Sequence, residues 1–175
     1  MKKSLSKKIL NVGCGNDTYG THFIDLYPTR KEVIKCDVDK ERIPFSKSYF
    51  DEVYCKNIFE HLRKPGYLIE ESYRVLKKGG KLIIITDNAL YWVWSVGKTH
   101  HGGYRWGEKT KDRHYSLFTI EHLVNHLSAV GFHIDNIKFI EDENDNILIK
   151  LINNLIRLTP FWRSSYKRIL IEGTK

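Results

Sequence analysis

The sequence predicts an α/β fold around a mostly parallel sheet, on three observations. Short apolar runs rich in β-branched residues recur between turn signals, amphipathic stretches of helical period alternate with them, and the first run ends in a glycine turn. Seven runs qualify as strands: residues 9–12, 23–26, 33–35, 52–55, 82–86, 132–140 and 169–172.

The first strand leads straight into Gly13-Cys14-Gly15-Asn16-Asp17. A glycine turn at the carboxyl end of a buried strand stands where open α/β sheets bind ligands, and a residue without Cβ lets a ligand approach the backbone. Only ten residues, 13–22, separate the first two strands. A parallel crossover takes about a dozen or more and usually a helix, so the first crossover helix is expected to be missing or reduced to a turn. A helix opens at Pro65, repeats Leu68, Ile69, Tyr73 and Leu76 on one face, and is expected to stop at Gly79 and Gly80. A second takes Thr119 as N-cap, carries Leu123, Val124, Leu127 and Val130, and closes at Gly131. A third, 145–159, has a broad apolar stripe of Leu148, Leu151, Ile152, Leu155 and Leu158 and ends before Pro160. It, or a second subunit in a homodimer, is expected to cover the sheet face left by the shortened crossover.

The 175 residues fit one domain, 1–175, with residues 87–117 inserted between the fifth strand and the Thr119 helix. The net charge of +8 favours anionic partners without selecting one: nucleic acid is open but not favoured, and a peripheral contact with an anionic membrane face is open too. No apolar run approaches the roughly 18 residues of a membrane span, and no signal-peptide pattern follows the basic start, so the expected location is cytoplasmic. Cys14, Cys36 and Cys55 lack metal-type spacing and read as plain thiols. His122 and His126 have the spacing of a zinc pair but no third ligand, so no metal site is expected.

Asp25 stands at the end of the second strand, where a carboxylate can accept hydrogen bonds from a ribose diol. Asp37 follows the third strand and can meet the exocyclic amine of an adenine, and Asn57 follows the fourth. Together with Ile9-Leu10-Asn11-Val12-Gly13-Cys14-Gly15, Ile43-Pro44-Phe45, Ser48-Tyr49-Phe50-Asp51-Glu52-Val53, Glu60-His61-Leu62 and Arg74-Val75-Leu76-Lys77-Lys78-Gly79-Gly80-Lys81-Leu82, these residues resemble the class I S-adenosylmethionine-dependent methyltransferases. The resemblance covers roughly residues 8–88, with a weaker echo in His114-Tyr115-Ser116-Leu117-Phe118-Thr119. It implies a Rossmann-like, seven-stranded sheet whose last strand is antiparallel, and S-adenosyl-L-methionine as cofactor. It also implies that Asn11, Gly13, Cys14 and Gly15 border the methionine portion, Asp25 and Leu26 the ribose, and Asp37 and Val38 the adenine. Asn57 and Ile58 would line the cofactor, and His61 would sit near the methyl donor. The sequence departs from the family at Asn11, where an acid is usual, and at Asn16-Asp17, where a third glycine is usual.

The insertion 87–117 holds Trp92, Trp94 and Trp106 with Tyr91, Tyr104 and Tyr115, interleaved with Gly97, Gly102, Gly103 and Gly107. Long loops of this composition serve as lids or binding loops, so it is expected to receive the acceptor. A small-molecule or glycan hydroxyl or amine is the favoured acceptor. His100, His101 and His114 are the candidate bases, because imidazole titrates near neutrality. A dinucleotide oxidoreductase would need a third glycine and an acid about twenty residues on, and neither is present. The remaining rival is a non-catalytic module of the same fold that binds RNA or an anionic surface.

Overall fold

The computed structural model describes residues 7–96, 114–143 and 145–175. Seven strands, β1 (Ile9–Val12), β2 (His22–Asp25), β3 (Val33–Lys35), β4 (Phe50–Lys56), β5 (Leu76–Asp87), β6 (His133–Ile140) and β7 (Arg168–Thr174), form one sheet in the order β3-β2-β1-β4-β5-β7-β6. β7 runs antiparallel to both neighbours, and the other described pairs are parallel. This is the Rossmann-like arrangement the sequence predicts.

Alternation decides which face of the sheet is packed. Leu10 and Val12 lie in register with Val53 and Cys55, and these with Leu82 and Ile84, all fully buried. They form one core with Leu68, Ile69 and Val75 of α1 (Pro65–Val75) and, past the short α2 (Val93–Val96), Leu123 and Leu127 of α3 (Ile120–Val130), each burial stabilising by about 1.5–3 kcal/mol. α3 follows its sequence signals: Thr119 accepts a hydrogen bond from the His122 amide, and Gly131 takes the left-handed closing position at φ +107°. α1 stops earlier than expected. Leu76 leaves helical geometry at ψ 140° because its fully buried side chain is needed in β5, and Gly79, at φ +76°, bends within the strand instead of ending the helix.

The first crossover, residues 13–21, contains no helix, as its length dictates. The face it would have covered carries Asn11, Glu52 and Tyr54. Tyr19 from the crossover lies over them, its ring centroid 4.6 Å from that of Tyr54 and its hydroxyl donating to Glu52 at 2.5 Å. Lys7 supplies a counter-charge to the buried Glu52 carboxylate, also at 2.5 Å. The expectation that the third sequence-predicted helix covers this face is wrong. That helix, α4 (Ile147–Ile156), packs instead beside a short 3-10 turn (Trp162–Ser165) and against Tyr91 and Trp92 beyond β5. A polar contact decides this: buried Asn153 accepts from the Trp92 indole at 2.7 Å and donates to Asp145 at 3.2 Å.

Candidate functional site

The carboxyl ends of β1, β2, β3 and β4 converge on a cleft of about 460 Å³, lined by Gly13, Asp25, Leu26, Asp37, Asn57, Ile58 and His61 among others. Its floor is set by the glycine turn. Gly13 has φ +65°, and a Cβ there would stand 2.4 Å from the Ile58 Cδ1, so glycine is required both by conformation and by space. Asp25 ties the turn to β2: one carboxylate oxygen accepts the Gly15 amide and the other the Tyr27 amide, each at 2.8 Å. An ionised carboxylate has about four lone-pair sites, so two remain to face the cleft. No helix follows Gly15, which removes the close helix-to-strand approach a third glycine serves. Asp17 instead caps the turn, accepting the Tyr19 amide at 2.8 Å.

Asp37 accepts from Lys40 at 2.6 Å, and this partner holds its carboxyl below the usual range. Asp39 accepts the amides of Arg63 and Lys64 at 3.0 Å, docking the loop after β3 onto the start of α1. Arg63 lies 4.9 Å over the Tyr115 ring and donates to its hydroxyl at 3.1 Å, closing one wall. Val38, with Cys36 and Leu62, lines a smaller hollow of about 110 Å³ that shares Gly13, Asp25 and His61 with the main cleft. Asn11 and Cys14 lie outside the main cleft. They line a separate hollow of about 170 Å³ that also borders Gly13 and Asn57. Asn11 is buried, and its amide donates to the Tyr19 carbonyl at 3.0 Å, which gives the departure from the usual acid a structural role.

Next to His61 stands a buried polar group. Its members are Glu60, the 3-10 residue accepting the Thr86 hydroxyl at 2.7 Å; Asp87, the last residue of β5; and His114, whose Nδ1 is 3.6 Å from Asp87 Oδ2. The His114 and His61 rings meet edge to face at 4.6 Å. Burial pushes both the Glu60 and Asp87 carboxyls up. Glu60, His61 and His114 each offer a ligand atom, all within 4.8 Å of one another, so the group can share protons or hold a cation. Burial pushes the Cys36 thiol up to about 11 and raises Cys14 and Cys55 as well, so all three free cysteines are thiols.

Residues 25–84 match the family model described as a methyltransferase domain. The sheet order and the antiparallel β7 are those of Rossmann-like methyltransferase folds. Residues 25–84 are thus similar to a methyltransferase domain, and the fold around them is that of Rossmann-like methyltransferases. A Methanosarcina mazei S-adenosylmethionine-dependent methyltransferase superposes with a TM-score of 0.64 at 19% identity, covering 97% of this chain and 92% of that one. A Haloferax volcanii methyltransferase, solved in complex with the Trm112 methyltransferase activator, gives 0.64 at 16%, covering 96% and 81%. The uncharacterized protein MJ1123 of Methanocaldococcus jannaschii is 32% identical over 107 residues, 58% of this chain and 48% of its own length. The chain thus spans about half the length of that curated relative.

In and beside the cleft, sequence reasoning missed Asp39, Lys40, Arg63 and Asp87. Asp87 was visible only as a carboxylate at the sheet's carboxyl edge, because its partner lies twenty-seven positions further on. His100 and His101, with Tyr104, Trp106 and the glycines 97, 102, 103 and 107, lie outside the described residues. Tyr91 and Trp94, expected to meet an acceptor, are buried: the Tyr91 hydroxyl donates to Asp145 and the Trp94 indole to the Asn88 carbonyl at 3.0 Å. His122 and His126 are exposed, and the former sits 3.3 Å from the Thr119 hydroxyl.

Proposed function

We propose that this chain moves a methyl group from S-adenosyl-L-methionine to an oxygen or nitrogen of a small-molecule or glycan acceptor. The observation that carries the reading is the convergence of Gly13, Asp25 and Asp37 from three different strand ends on one cleft. Its volume of about 460 Å³ suits a nucleoside-sized ligand. The space above Gly13 that a Cβ would fill is a cradle for a ligand chain, and the free lone pairs of Asp25 suit a ribose diol. Asp37 and Val38 would border the adenine, with Leu26, Asn57 and Ile58 as walls.

The bound cofactor would supply an electrophilic methyl on a sulfonium, displaced in line with the electron pair returning to sulfur. His61 would stand beside that methyl as part of the cleft wall. His114, behind it and backed by buried Asp87, is the base to receive the acceptor's proton, since a nearby carboxylate favours the imidazolium that forms. Alignment in a closed cleft would supply much of the remaining acceleration.

The test is transfer of labelled methyl from S-adenosylmethionine into fractionated cell extract, with Asp25→Ala as the variant expected to lose it. A folded wild-type chain that shows no calorimetric binding at millimolar cofactor overturns the reading and leaves the non-catalytic module.

A further inference from the structure

α4 is written for burial on both sides and is covered on one. Ile149, Ile152 and Ile156 are half-buried, and the helix's one fully buried side chain is the polar Asn153. Its leucines face out: Leu148 is 62% exposed, Leu151 57%, Leu155 66% and Leu158, in the closing turn, 86%. Their spacing of three and four places them on one stripe, and Ile147 extends it at the front. Phe161, 75% exposed, and Trp162 continue the apolar run past Pro160. The orientation is fixed from behind, because Asn153 is locked to Trp92 and Asp145, and Asp145 also accepts the Tyr91 hydroxyl at 2.8 Å. The leucines therefore cannot turn inward without breaking a buried polar network. A contiguous apolar patch of this kind marks an interaction surface.

Charge identifies the occupant. From Asn146 to Ile171 the sequence holds five cations and no carboxylate; Lys167 and Arg168 face inward to Asp142 and Asp87, which leaves Lys150, Arg157 and Arg163 on the side of α4 and the turn after it. Of the acids just before the helix, Asp142 and Asp145 are turned inward onto Lys167 and onto Tyr91 and Asn153. Arg157 and Arg163 pair with Glu141 and Glu121, both largely exposed, and such surface pairs exchange readily for phosphate. A second copy is a poor partner, since a two-fold contact would set this cation-only segment against itself. At ten residues α4 is about 15 Å long, half of a hydrocarbon core, so it can lie on a bilayer and not cross it.

We propose that α4 and the 3-10 turn after it form an anchor that lies on an anionic lipid surface, leucines and Phe161 in the acyl boundary and Lys150, Arg157 and Arg163 at the headgroups. The anchor stands independently of methyl transfer.

The test is flotation of the full chain with vesicles of phosphatidylcholine alone and with 30% phosphatidylglycerol added, alongside Leu151→Glu/Leu155→Glu. Wild type should bind the anionic vesicles at least about tenfold more strongly than the neutral ones, and the double variant should lose about thirtyfold or more in partitioning. Both substituted side chains are exposed, so the variant's melting temperature and cofactor affinity should match wild type. No flotation of wild type, equal flotation of both proteins, or a lipid-free dimer that the double variant dissociates would overturn the anchor.

Discussion

Replacing Gly13 by alanine tests the proposed cofactor cradle at its floor. The residue holds φ +65°, where an L side chain costs about 1–2 kcal/mol. The new Cβ would also meet Ile58 Cδ1 at 2.4 Å, so Ile58 must leave its rotamer at a cost of about 0.5–1.5 kcal/mol. The sum, about 1.5–3.5 kcal/mol, corresponds to a fall in melting temperature of about 3–14 °C for a chain of this length. Ile58 lines the cleft, so its displaced side chain would occupy ligand space. Calorimetric titration with S-adenosylmethionine should show a Kd at least about tenfold weaker, equivalent to about 1.4 kcal/mol. Adding Ile58→Val deletes Cδ1 and leaves the nearest contacts at 3.1 Å, which should restore much of the affinity while the backbone cost to stability persists. Wild-type affinity in Gly13→Ala, or a double variant no better than the single one, would refute the reasoning.

Three other outcomes follow from the same structure. Glu71 accepts from Arg74 at 2.6 and 2.7 Å and from the Ile43 amide at 2.9 Å; burial pushes its carboxyl up, but these partners more than offset that and hold it low. Its stabilisation is present above the ordinary carboxyl range and is lost as pH falls through the depressed value. Glu71→Gln should therefore cost about 1.5–3 kcal/mol at neutral pH in urea denaturation and less as pH falls, with a pH-independent cost as the contrary result. Glu60 has the opposite sign: burial raises its carboxyl, so its contribution is present below about pH 4 and lost as pH rises through the folded value. The stability of Glu60→Gln relative to wild type should climb as pH rises above the ordinary carboxyl range, and a flat difference would exclude a buried ionisation. His114→Asn should lower kcat by about a hundredfold or more at saturating cofactor with the Kd for S-adenosylmethionine unchanged, whereas equal loss of both would make it a structural residue.

Much of the fold was legible because its signals are local. The β-branched runs, the Thr119 cap and the Gly131 stop each act within a turn or two of chain, and all three appear where the periodicity puts them. The end of α1 was misread because Gly79-Gly80 is a stop signal only if the preceding residues are helical, and burial of Leu76 in the sheet took precedence. In the cleft, Gly13, Asp25, Asp37 and Asn57 were readable from their places at strand ends, and His61 only through the family resemblance. Asp39, Arg63 and the pairing of Asp87 with His114 were not, since each meets its partner across at least twenty intervening residues.

By itself the sequence determined the strands, the helix-free first crossover and the glycine-and-carboxylate edge, because spacing and backbone conformation are properties of neighbouring residues. Only the tertiary structure decided which apolar face found cover. The α4 stripe has the pattern of a core helix, yet one buried asparagine bonded to Trp92 and Asp145 turns its leucines outward, since an unsatisfied buried amide costs about as much as an exposed leucine forfeits.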